Sequence, residues 1–127
     1  MNNESIISGV ILDAAIEVHR TLGGPGLLES VYVEALAFEL SQRGLSIERQ
    51  KLIQLTYKGK ELSTPLRIDL LVDGKVVAEC KATAQCHSIY EAQVLTYLRL
   101  MGLKLGLVIN FGEKLVKNGI HRVVNNL

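Results

Sequence analysis

The stretch Arg67-Ile-Asp-Leu-Leu-Val-Asp-Gly-Lys-Val-Val-Ala-Glu-Cys-Lys-Ala82 constrains the fold more than any other part of the chain. Its apolar runs, broken at Asp73-Gly74, have the pattern of two strands joined by a tight turn. Three charges, Asp69, Glu79 and Lys81, interrupt those runs. Carrying a charge into a sheet is costly unless it is paired or bound to a metal. Either the three lie on an exposed face, or they form a site.

Strand parity narrows the choice. Arg67, Asp69 and Leu71 share one face of the first strand, and Ile68, Leu70 and Val72 share the other. On the second strand Lys75, Val77, Glu79 and Lys81 alternate with Val76, Ala78, Cys80 and Ala82. A two-residue turn at Asp73-Gly74 would pair Asp69 with Ala78 and set the charged face of one strand beside the apolar face of the other. A three-residue loop, Val72-Asp73-Gly74, with Gly74 left-handed and a bulge beside it, pairs Leu71 with Lys75 and Asp69 with Val77. That register gathers the apolar residues on one face and Asp69, Glu79 and Lys81 on the other. Hydrophobic patterning therefore predicts an odd loop, since a one-residue slip inverts a face.

Two carboxylates and a lysine on adjacent strands suit metal-assisted phosphodiester hydrolysis. Carboxylates and a backbone carbonyl are hard oxygen ligands for Mg²⁺ or Mn²⁺. Such a cation lowers the pKa of its water and neutralises phosphate charge. A lysine beside the water can orient it. Asp69 followed by Glu79-Cys80-Lys81 resembles the Asp…(Asp/Glu)-x-Lys core of the PD-(D/E)XK nuclease superfamily. Ile68 stands where the name of the superfamily has proline.

The 127 residues predict one domain, 1–127, with a single core. Hydrophobic residues make up 48% and charged ones 21%, which excludes a disordered chain. No uncharged apolar run approaches the ~20 residues of a membrane span, so no membrane partner is expected. Met-Asn-Asn-Glu-Ser lacks the basic start of a signal peptide, and two cysteines make no disulfide framework, which together point to the cytoplasm. A net charge of +1 leaves nucleic-acid binding to a local patch. Arg43, Arg49, Lys51, Lys58, Lys60 and Lys75 could supply one, although solvated surface is the plain reading of each. With 5% aromatic residues and no tryptophan, a base-stacking platform is not expected.

Along the chain, Asn3 or Ser5 should cap a helix to about Leu22, with Ile7, Val10, Ile11, Ala14, Val18 and Leu22 as its stripe and His19 at the edge. Gly23-Gly24-Pro25-Gly26 breaks it. A second helix is expected over Leu28 to Arg43, with Val31, Tyr32, Ala35, Leu36 and Leu40 inward and Gly44 as its stop. Glu29 in its first turn suits the helix dipole, and equally an extra carboxylate near a metal. Ile47 to Tyr57 alternates like a strand, Lys58-Gly59-Lys60 turns, and a short extended segment runs to Pro65. Ser88-Ile-Tyr-Glu91 has the form of a capping box opening a helix to about Met101, with Val94, Leu95, Leu98 and Met101 in its core. Leu103 to Phe111 reads as a buried strand and Gly119 to Val124 as an edge strand. Cys80, Cys86 and His87 suggest zinc only weakly, since no fourth ligand stands at a familiar spacing.

Gly26-Leu-Leu-Glu29-Ser-Val-Tyr32 resembles the signature of the GxxExxY proteins, a family placed in the PD-(D/E)XK superfamily. Ala15-Ile-Glu-Val-His-Arg20, the Arg67–Lys81 hairpin, and Glu91 to Leu100 through Asn110-Phe111-Gly112 extend the similarity over nearly the whole chain. The resemblance implies a restriction-endonuclease-like α/β/β/α fold with a mixed sheet between helices. It implies a divalent-metal-dependent nuclease acting on nucleic acid, DNA ahead of RNA. Asp69, Glu79 and the Cys80 carbonyl would hold the metal and Lys81 would place the water. Gln93, through its likeness to a Gln-x-x-x-Tyr element, would orient lysine or water, and Glu29, Tyr32, Tyr97 and Arg67 would support. The little surface a domain of this size offers a duplex suggests a homodimer. Two rivals stand beside this reading. One is a nucleic-acid- or protein-binding module that keeps the fold without the chemistry. The other has Lys81 and Arg67 merely pairing with Glu79 and Asp69.

Overall fold

Helix α1 (Asn3–Thr21) begins where Asn2 is extended and its side chain accepts the Ser5 N–H at 2.7 Å. The cap is therefore Asn2 and not Asn3 or Ser5, because a capping oxygen must reach the amide about three residues on. The computed structural model describes residues 2–127. Helix α2 (Glu29–Gln42) starts after an extended, exposed Leu28, a residue later than the periodicity suggests. Its inner face is Tyr32, Val33, Leu36, Ala37 and Leu40, with Val31 turned outward. Val31, Val33, Ala35, Ala37 and Phe38 make α2 apolar nearly all round, so its sequence does not single out one stripe.

Five strands form the sheet in the order β1-β4-β5-β6-β7: β1 (Ile47–Ile53), β4 (Leu66–Val72), β5 (Val76–Lys81), β6 (Leu105–Asn110) and β7 (Ile120–Val124). Only β5 and β6 run parallel, so the sheet is mixed. The expected strand to Tyr57 is shorter. It leaves the sheet after Ile53, and β2 (Thr56–Tyr57) pairs with β3 (Lys60–Glu61) in a separate ribbon. Lys58 and Gly59 both have positive φ there, which closes a tight two-residue turn and folds the segment back locally.

Helices α1 and α2 cover one face, where Leu70, Val72, Ala78 and Cys80 meet Leu107 and Ile109. Helix α3 (Ser88–Met101) covers the other through Val94 and Leu98 against Leu71, Val77 and Val108. All six residues of β6 are buried, as a parallel strand sandwiched between helices should be. The face carrying the hairpin charges is therefore also apolar over most of its length. Ser88 is already helical and makes no side-chain cap, so the expected capping box does not form; His87 occupies the cap position.

The hairpin loop is odd, as parity requires, but it is Asp73-Gly74-Lys75 and not Val72-Asp73-Gly74. Val72 pairs with Val76, Leu71 with Val77 and Leu70 with Ala78, two residues from the expected register. A two-residue slip keeps every side chain on its face, so patterning cannot detect it. Burial decides it: Val72 is fully buried and Lys75 is exposed, and the expected loop would have taken Val72 out of the core. Asp73 fixes the turn by accepting the Ser46 N–H at 2.7 Å and donating its own to Ser46 O at 2.8 Å. Gly74 has φ +65° and Asp73 φ +52°, the left-handed pair such a turn uses.

Candidate metal centre

Asp69 stands where the ladders on both sides of β4 are interrupted. Toward β1, Arg49 pairs with Leu70 and Lys51 with Ile68, while Gln50 between them has φ +51°. That conformation costs a non-glycine residue roughly 1–2 kcal/mol. Toward β5, the paired residues end at Leu70 and Ala78. Ile68 packs with Leu71 on the α3 side, unlike Leu70 and Val72, so the plain alternation breaks at Asp69. Beyond the last pair the carboxylates take over from the backbone ladder. The Asp69 N–H donates to Glu79 Oε1 at 3.1 Å, and the Cys80 N–H donates to Asp69 Oδ2 at 2.9 Å. These crossed bonds bring the two carboxyl groups together.

The electrostatics follow from that closeness. Glu79 is only 7% exposed, and burial, reinforced by the Asp69 charge, pushes its carboxyl up to about 8. The pair thus holds a proton near neutral pH unless a cation replaces it. Glu29, at the α2 N-terminus, is raised by desolvation; Lys81 pulls it down and Asp69 pushes it further up. Glu29 thus senses both residues from the other side of the sheet edge. Tyr97 on α3 is raised by desolvation, then by Glu79 and Asp69.

Lys81 ends β5 with Nζ 4.5 Å from the centre of the Tyr90 ring, a cation–π contact that holds the ammonium at the start of α3. Tyr90 was not singled out from the sequence. The signal was its spacing from Tyr97, seven residues or about two turns, which puts both on one face of α3. The loop after Lys81 is locked by the buried Asn110, which also escaped sequence reasoning. Its Oδ1 accepts from the Thr83 N–H at 3.0 Å and the Gly112 N–H at 2.9 Å, and its Nδ2 donates to Thr83 O at 3.1 Å. Its traces in the sequence are one asparagine in an otherwise apolar run, Leu105 to Phe111, and its place in Asn110-Phe111-Gly112.

The other expected residues divide. Gln93 is exposed on α3, and Arg67 is exposed on β4. Tyr32 is fully buried in the core, stacked on Phe111 with ring centres 4.6 Å apart. Its hydroxyl donates to Gly24 O at 2.7 Å and accepts from the Leu27 N–H at 3.1 Å, which pins the loop leading to Glu29. His19 is buried as well, its Nε2 bonded to Phe111 O at 3.1 Å. Among the described residues neither Lys81 nor Arg67 makes an ion pair, which argues against charges that merely neutralise one another.

The donors suit a hard divalent cation. Each crossed bond engages one oxygen of a carboxyl group with a backbone amide. The Cys80 thiol lies buried on the α1/α2 side, its pKa pushed well up by burial, so only the Cys80 carbonyl could serve a metal. Among the described residues no three His, Cys, Asp or Glu side chains form a metal-holding cluster. A site here would have two carboxylates and leave most coordination positions to water and phosphate, as Mg²⁺ prefers.

No curated protein and no solved structure matches the chain. A family model does: that of the PD-(D/E)XK nuclease superfamily, over residues 5–123. The match spans the mixed sheet, its flanking helices and the Asp69, Glu79 and Lys81 constellation, and the chain belongs to the PD-(D/E)XK nuclease superfamily.

Proposed function

We propose that the chain is a divalent-metal-dependent nuclease, a single domain over 1–127 of the GxxExxY type, that hydrolyses nucleic-acid phosphodiesters, DNA ahead of RNA. The observation that carries this reading is the crossed bonding of Asp69 and Glu79 beside Lys81 in a nuclease-superfamily fold. Asp69, Glu79 and the Cys80 carbonyl would hold Mg²⁺ or Mn²⁺. The chemistry that such a cation supplies when bound is polarisation of the phosphate and a more acidic water. Lys81 holds its ammonium against Tyr90, where it can orient the attacking water and offset developing negative charge. Glu29 adds negative charge at the rim, and Tyr97 borders the carboxylates from α3. Gln93 would orient lysine or water and Arg67 would support, and both are exposed. Tyr32 supports through the loop before Glu29.

Lys81→Ala should keep metal and nucleic acid bound yet cut cleavage by at least ~10²-fold, the scale of one lost transition-state contact. Lys81→Arg should not rescue it, because a planar guanidinium cannot take the place of a point-charge ammonium. Wild-type protein with saturating Mn²⁺ and a broad DNA and RNA panel, cleaving no better than Lys81→Ala, would defeat the enzyme reading. The alternative, a module that binds without cleaving, draws on the lack of a three-side-chain metal cluster among the described residues. Metal binding without hydrolysis would favour it.

A further inference from the structure

A groove of about 390 Å³ opens between α1 and the segment that follows β6, and none of the carboxylates of the candidate metal centre lines it. Ile16, His19 and Arg20 from α1 form one wall, and Lys114, Leu115 and Lys117 after β6 form the other. Its volume falls in the range of small-ligand sites, about 300–1,000 Å³. Its chemistry is mixed in a particular way. Ile16 and Leu115 offer aliphatic surface, each partly exposed, while the cations stand at the rim. Arg20 is tied to Glu17 one turn back, but among the described residues neither Lys114 nor Lys117 has an ion-pair partner. Two free lysines beside an apolar wall match a ligand that is flat and apolar on one side and anionic on the other.

The groove is joined to the candidate metal centre in two ways. Phe111 bridges them, its N–H donating to Lys81 O at 2.8 Å and its carbonyl accepting from His19 Nε2 at 3.1 Å. Because β5 and β6 are neighbours, only one strand spacing, about 4.8 Å, separates the Lys81 and Phe111 backbones. The loop from Gly23 and Gly24, which line the groove, runs directly to Glu29. A strand whose phosphodiester lay at Asp69, Glu79 and Lys81 would reach the groove by passing over Lys81 and Phe111.

We propose that the groove holds one nucleotide of the nucleic-acid strand flanking the reacting phosphodiester, its base against Ile16 and Leu115 and its phosphate against Lys114 and Lys117. The proposal rests on the nuclease reading for the path of that strand. It assigns a substrate role to a face that the carboxylates do not reach. Because the walls are aliphatic, the base is held by burial rather than by stacking, so the groove should tolerate any base.

The test is fluorescence anisotropy with fluorescein-labelled single-stranded and duplex DNA and RNA in EDTA, which prevents metal-assisted cleavage of the probe. Lys114→Ala/Lys117→Ala should weaken binding about equally across sequences. The slope of log affinity against log salt for a single strand should flatten by about 0.7 per lysine. Leu115→Asp, at an exposed position and so without a folding cost, should weaken binding as well. An equal loss from Lys58→Ala/Lys60→Ala on the β2–β3 ribbon would reduce the effect to overall charge and overturn the groove. So would a wild-type protein that binds none of the probes. Cleavage by wild type, with affinity and salt slope unchanged in the double lysine variant, overturns the groove alone. Loss of binding in that variant, with no cleavage by wild type under Mn²⁺, supports the groove and overturns the nuclease reading.

Discussion

Replacing Glu79 by Gln should stabilise the metal-free protein, and by more as the pH rises. The Glu79 carboxyl is raised from 4.5 to about 8, by burial first and Asp69 second. Below about pH 4.5 folded and unfolded chains both carry its proton; between there and about pH 8 only the folded chain does. Stability tied to this group is therefore present at low pH, falls through that window and levels off above it. At 1.36 kcal/mol per unit the full loss has an upper bound of about 5 kcal/mol. The amide introduced by Glu79→Gln keeps an oxygen to accept the Asp69 N–H and carries no charge, so the variant escapes the loss. Melting in EDTA should show the two proteins together near about pH 5 and the variant higher near about pH 9, by roughly 3–5 °C for each kcal/mol in a chain of this size. Adding Mg²⁺ should reverse the order at high pH, because binding to the folded wild type stabilises it by mass action. Binding should release a proton, so affinity should rise with pH up to about 8. Melting curves for wild type and Glu79→Gln that run parallel across the whole range would refute the reasoning.

Three further changes test the surroundings of the carboxylates. Gly112→Ala would drive its Cβ into the Thr83 backbone and should destabilise by roughly 1–3 kcal/mol in denaturant melts, as overpacking does. Asn110→Ala strands the partly buried Thr83 and Gly112 groups that it serves. It should cost at least about 1–3 kcal/mol and loosen the loop after Lys81, seen as faster amide exchange at Thr83. Tyr90→Leu removes the ring under Lys81 and should slow cleavage by about 2- to 30-fold, the worth of one cation–π contact, with metal affinity unchanged.

Parity anticipated an odd hairpin loop, which the structure has, and agrees with the bonding between Asp69 and the Glu79-Cys80 segment, but it did not anticipate the break beside Asp69, where Ile68 joins Leu71 on the α3 side. The exact pairing was illegible: moving by two residues changes no face, and only the burial of Val72 against the exposure of Lys75 chooses. Interruptions of the ladder leave no pattern at all. Nothing about Gln50 in sequence announces a left-handed residue in mid-strand, between Arg49 and Lys51, which pair with Leu70 and Ile68. Tyr32 shows the opposite limit. The resemblance grouped it with the site, whereas its ring serves the core and only its hydroxyl, through the loop to Glu29, reaches toward the chemistry.

The crossed bonds, from the Asp69 N–H to Glu79 and from the Cys80 N–H to Asp69, carry a consequence for the metal site proposed there. Many metal sites hold their anionic ligands apart at a standing cost and collapse when the ion leaves. Here each carboxyl group already has an amide from the neighbouring strand, and burial with the Asp69 charge favours the protonated form of Glu79. A divalent cation bound there as proposed would exchange with that proton within the frame the two bonds already fix, with no refolding of the strands.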